Sequence, residues 1–163
     1  MNGKPSLSLT PTVGHCNYSK SFQLSDGGYI DCLIYDTGGQ ERYRSIIDSY
    51  YKKADAVLLV YDISSKQSFE DIQNFYVDKI RESCKEDITI LLLGNKTDLE
   101  FKREVPKDLA IALAEKENYS FAESSCAKND NVAGAFEALV QRWYIDKRKK
   151  IEQLKIENLK EKN

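Results

Sequence analysis

The alternation of apolar and polar positions divides the chain into short strands and longer helices. Two alternating segments, 17–24 and 29–35, flank Ser25-Asp26-Gly27-Gly28 and predict a hairpin whose turn uses Gly and Asp for positive φ. AVLLVYDI at 56–63 and ITILLLGN at 88–95 are continuous apolar runs, predicting strands covered on both faces. Between them, 69–84 has helical spacing, and a helical stretch is expected to end at Tyr51. Pro106 is placed to open a helix reaching about Asn118, and 120–125 reads as a short strand. From Val132 a helix is expected to run past Trp143 toward Lys160. Strands alternating with helices predict an α/β fold: a mostly parallel sheet with helices on both faces.

Composition narrows the function. The 163 residues carry 24 Lys+Arg against 26 Asp+Glu, a net charge of -2 that disfavours a nucleic-acid partner. One histidine, His15, excludes multi-histidine metal sites and disfavours a Ser-His-Asp triad. The four cysteines form no CxxC pair and read as reduced thiols of a cytoplasmic protein. The first thirty residues contain no apolar signal segment, and no run approaches membrane-spanning length.

Three polar clusters fall at the carboxyl ends of predicted strands, where open α/β sheets hold ligands. They are Asp36-Thr37-Gly38-Gly39-Gln40, Asn95-Lys96-Thr97-Asp98 and Glu123-Ser124-Ser125-Cys126-Ala127-Lys128. A carboxylate such as Asp98 can accept the adjacent N–H and NH2 of guanine, which adenine lacks. The Lys96 stem can lie along a base plane, and Asn95 can pin neighbouring loops. Asp36 suits a magnesium ion through water. Paired glycines admit a backbone N–H close to a phosphate, and Gln40 beside them can orient a water.

DTGGQERYRSI, YYKKADAVLLVYDIS, LLGNKTDL and ESSCAKNDNV, in this order, resemble the signature segments of Ras-superfamily small GTPases, of the Rab type in particular. The resemblance covers roughly 11–145 and implies a P-loop-NTPase-like small-GTPase fold, a partial domain over 1–145 and a charged helical extension over 146–163. It implies GTP/GDP and Mg2+ as ligands. Thr12 and Asp36 would serve the metal, Gly39 the γ-phosphate, and Gln40 the attacking water as the catalytic residue. Asn95, Lys96 and Asp98 would read guanine, with Ser125, Cys126 and Ala127 offering backbone N–H groups to its oxygen. A gapless register puts Cys126 at the family's Ala, while a one-residue shift restores Ala127-Lys128; both registers stand.

The chain also departs from the family. None of its eight glycines has another five residues on, so GxxxxGK[ST] is absent, and with it the strand and helix that flank this loop. Without that loop's lysine, the chain as written is expected to bind guanine nucleotide poorly or not at all, and to hydrolyse GTP worse. Two open strand edges are expected where the missing strand would lie. Gly38 replaces the family's Ala, and Tyr35 replaces a Trp. No cysteine follows Cys126, so no direct lipid anchor is expected. Two readings remain: a vesicle-traffic switch represented without its P-loop, or a pseudo-GTPase serving as a scaffold subunit without nucleotide turnover. The expected partners are protein effectors or assembly subunits, met through the switch segments and the C-terminal helix. The expected location is cytoplasmic, peripheral to endomembranes through those partners.

Overall fold

The computed structural model describes residues 15–37 and 49–160, with residues 15 and 16 placed as backbone. β1 (His15–Gln23) and β2 (Tyr29–Thr37) form an antiparallel hairpin pairing Phe22 with Ile30 and Lys20 with Cys32. Its turn is closed by the Gly28 N–H on Asp26 Oδ1 (3.0 Å), and Gly27 supplies the positive φ of 87°. β3 (Ala56–Asp62), β4 (Thr89–Asn95) and β5 (Ser120–Glu123) form a parallel sheet in that order, separate from the hairpin.

Helices cover both faces of this sheet. α1 (Lys66–Asp71) starts at Ser65, whose Oγ accepts the Ser68 N–H (3.3 Å), and passes through a wider turn over Ile72–Tyr76 into α2 (Val77–Ser83). α3 (Lys107–Lys116) follows Pro106, whose extended ψ of 136° places it just outside the helix rather than within its first turn. These elements bury Phe69, Ile72, Val77, Ile80, Ala110 and Leu113 against Leu59, Tyr61, Ile90 and Leu92. On the opposite face α4 (Val132–Lys160) buries Ala135 and Leu139 against Leu91 and Leu93. β4 is buried throughout up to Gly94, as the apolar run predicted.

β3 shows one of the open edges expected beside the absent strand. It is an edge strand among the described residues, and Val60 on it is 47% exposed. Its faces are less covered than the continuous apolar run predicted, because local hydrophobicity does not encode which neighbours arrive. β5 ends at Glu123, two residues early, since Ser125 turns away to pair with Asp130.

The hairpin is clasped to α4. Gln141 accepts the Ser25 N–H at Oε1 (3.1 Å) and donates from Nε2 to the Gln23 carbonyl (2.7 Å). Asp26 accepts from the Tyr144 hydroxyl and lies 3.6 Å from Arg148. One turn further, Lys147 and Lys150 both reach Asp87 Oδ2, at 2.8 and 2.9 Å. Three of the four consecutive basic residues thus face partners on the body, leaving Lys149 alone as a projecting charge of that run. Beyond Lys150 the helix is exposed along its length, with Ile151, Leu154 and Ile156 about half accessible.

Candidate functional site

The carboxyl ends of β3, β4 and β5 converge on one rim. β4 delivers Asn95, and the chain then turns sharply: Lys96 adopts φ 69°, ψ 38°, a left-handed conformation uncommon for a residue with a Cβ. That turn opens a tight 3-10 segment, Thr97–Lys102, with Asp98 in its first turn. β5 delivers Ser124 and Ser125, both buried, followed by an exposed turn over Cys126–Asn129.

Hydrogen bonds lock these two loops together. Ser124 Oγ donates to Asn95 Oδ1 (3.3 Å), and the Cys126 N–H donates to the same oxygen (3.2 Å). Ser125 Oγ donates to Asp98 Oδ1 (2.5 Å) and accepts the Lys128 N–H (3.1 Å). The Thr97 N–H donates to the Ser124 carbonyl (3.1 Å). The Ser125 N–H is taken by the Asp130 carbonyl (3.0 Å), so of the three amides expected to face guanine, Ser125 and Cys126 are engaged within the protein. Among the described residues no hydrogen bond uses the Ala127 N–H. Asn131, at φ 53°, closes the loop by donating from Nδ2 to the Glu123 carbonyl (2.7 Å).

Asp62, at the end of β3, belongs to the same rim and was absent from the sequence expectations. Its Oδ2 lies 2.5 Å from Lys96 Nζ, and its Oδ1 accepts from the Ser64 N–H (2.8 Å) and hydroxyl (2.7 Å). Burial opposes the Asp62 charge, but Lys96 and Ser64 outweigh it and hold the carboxyl below its ordinary range. The signal for it was the Asp-x-Ser spacing directly after an apolar run, a side chain set to cap its own turn. This pair directs Lys96 across the ends of β3 and β4.

Asp36 is exposed near the end of β2, in the other sheet. Thr12, Gly39 and Gln40 lie outside the described residues. Among the described residues no group of three or more His, Cys, Asp or Glu is arranged to hold a metal. A carboxylate at a strand end such as Asp36 fits Mg2+ through a bridging water.

Such a rim, with carboxylate, amide and lysine presented from β4 and a serine loop from β5, lies where open α/β sheets hold their ligands. The profile of the Ras family matches residues 2–145. The chain is 38% identical over 146 residues to Ras-related protein YPTC6 of Chlamydomonas reinhardtii, an alignment spanning 90% of this chain and 67% of that protein. The chain belongs to the Ras family of small GTPases.

Proposed function

We propose that this chain is a guanine-nucleotide-dependent switch of the Rab type. The observation that supports this most is the Ser125–Asp98 hydrogen bond together with the two donors on Asn95. These contacts hold one Asp98 carboxylate and one Asn95 amide at the rim, each with hydrogen-bonding capacity to spare. Asp98 would accept the two adjacent donors of guanine, Asn95 would donate from its amide nitrogen, and the Lys96 stem would lie along the base. Ala127, whose N–H is used by no hydrogen bond among the described residues, would face the base oxygen. Asp36 and Thr12 would hold Mg2+, which neutralises phosphate charge when bound; Gly39 would meet the γ-phosphate, and Gln40 would orient the attacking water. The switch segments would recruit protein effectors, and membrane association would come through partners. No helix among the described residues is long and apolar enough to cross a membrane.

Titration with fluorescent GDP and ADP in the presence of Mg2+ tests the reading. Saturable GDP binding with ADP at least tenfold weaker supports it; equal binding of the two, or none, overturns it.

A second reading is favoured by the open side of β3 and the exposed Val60. Here the chain is a scaffold module without turnover, with a partner segment seated on that edge. Absence of GDP binding together with a partner protecting the β3 amides would select it.

A further inference from the structure

Arg103 stands directly behind the rim, outside every motif read from the chain. Its backbone is anchored before its side chain begins to act. The Arg103 N–H donates to the Glu100 carbonyl (3.1 Å), and the Glu104 and Val105 N–H groups both donate to the Ile63 carbonyl (2.9 and 3.1 Å). The Lys66 N–H adds a bond to Glu104 Oε2 (2.9 Å), tying the segment to the start of α1.

From that base the guanidinium reaches both loops. Nε and Nη2 donate to the two carboxylate oxygens of Glu100 at 2.8 and 2.6 Å. Nη1 donates to Glu123 Oε1 (2.8 Å) and to the Val105 carbonyl (3.2 Å). Glu100 belongs to the same short 3-10 segment as Asp98. Glu123 is the last residue of β5, and its carbonyl receives the Asn131 side chain that closes the serine loop. The Arg103 and Glu123 side chains are only 16% and 14% exposed, so water screens this contact weakly.

We propose that Arg103 is a positioning residue that fixes the spacing between the Asn95–Asp98 loop and the Glu123–Asn131 loop and so sets selectivity for the guanine base. The selectivity part rests on the function proposed above; the loop-spacing part does not. The chemistry requires arginine. Its planar fork satisfies Glu100 with two parallel bonds and still has a donor aimed at Glu123, whereas lysine offers one point charge to one carboxylate at a time. Lys107 lies 3.7 Å from the other oxygen of Glu123, so a lysine at position 103 leaves that carboxylate partly compensated and the chain able to fold.

Two measurements on the full chain test the proposal, using Arg103→Lys, Glu123→Gln and the double variant. The first is amide hydrogen exchange at Thr97 and Cys126, whose N–H groups bridge the two loops, with Leu91 and Leu92 in β4 as internal references. Arg103→Lys is expected to speed exchange at the two bridging amides by about tenfold while the β4 amides hold. The double variant is expected to be no worse than the worse single, because both break one network. Unchanged bridging amides, or bridging and β4 amides rising in step, would overturn the spacing role.

The second measurement is the ratio of GDP to inosine diphosphate affinity with Mg2+ present; the inosine base lacks only the 2-amino group that Asp98 would read. Arg103→Lys is expected to lower that ratio by about tenfold. An unchanged ratio in a variant that binds GDP overturns the selectivity role alone. A wild-type chain that binds no GDP overturns the proposed function and the selectivity role together, while the exchange measurement still decides the spacing role.

Discussion

Ser125 donates its hydroxyl to Asp98 Oδ1 at 2.5 Å, joining residues 27 apart in sequence and fixing the plane of the carboxylate at the rim. A carboxylate oxygen carries two lone pairs, so Oδ1 retains one beside the serine and Oδ2 retains both. Asp98 is thus oriented without being used up.

Replacing Asp98 with Asn leaves the size of the group unchanged and reverses one of its two polar ends. Asp98→Asn is expected to weaken GDP binding by about ten- to hundredfold, since a donor then opposes a donor. Xanthosine diphosphate, whose base carries an oxygen in place of the amino group, is expected to gain by a similar factor. Competition binding with the two nucleotides checks both directions.

Gly94 is required by packing at the end of β4. A Cβ there would sit 2.8 Å from the Tyr61 hydroxyl oxygen, 3.0 Å from Cζ and 3.1 Å from Ile63 Cγ2. Tyr61 is 2% exposed and stacks edge-on to Phe69, so it has little room to move. Gly94→Ala is expected to destabilise by about 1–3 kcal/mol in urea unfolding. The Tyr61 hydroxyl is buried with no hydrogen-bond partner among the described residues, so Tyr61→Phe alone is expected to be neutral or stabilising. Because the shortest contact is to that hydroxyl, Tyr61→Phe is also expected to reduce the cost of Gly94→Ala.

The α4 contacts make stability depend on acidity. Asp87 is held far below its ordinary value of 3.8 by hydrogen bonds from Lys147 and Lys150, and Asp26 is lowered first by the Tyr144 hydroxyl and then by Gly28. A carboxyl whose folded pKa is depressed contributes stability above its unfolded value and loses it as pH falls through the folded value. The midpoint of thermal unfolding is therefore expected to fall as pH drops below about 4. Asp87→Asn is expected to flatten that fall. Scanning calorimetry of both chains between neutral and acid pH compares the slopes.

The hairpin clasp gives a separate expectation. Gln141 supplies both a donor and an acceptor to the backbone around Gln23 and Ser25. Gln141→Ala is expected to speed exchange of the Ser25 amide and to leave β4 protected. Amide exchange resolved by residue measures this directly.

The run 89–95, the helix reaching Lys160 and the hairpin turn at Gly27 were legible because each is written in neighbouring residues. The polar clusters at the ends of β4 and β5 were legible for the same reason. The open edge of β3 was legible from the absent GxxxxGK[ST] strand, but the exposure of Val60 was not, because apolar character there says nothing about what covers its face. Gln141 was missed since its partner, the Gln23 carbonyl, lies 118 positions away; Asp62 and Arg103 have near partners in Ser64 and Glu100, but what ties them across the rim, Lys96 and Glu123, lies 34 and 20 positions away. The loop register, left open between Cys126 and Ala127, is described in space by Ser125 on Asp98 and the Cys126 amide on Asn95, with Ala127 in the exposed turn.

α4 is 29 residues long, about 43 Å at the standard rise per residue. Its last ten residues extend about 15 Å beyond Lys150, which is held to the body through Asp87. Geometrically that segment is a lever with its fulcrum at the Asp87 and Asp26 contacts. A tilt of about 10° there would sweep Lys160 sideways by roughly 3 Å.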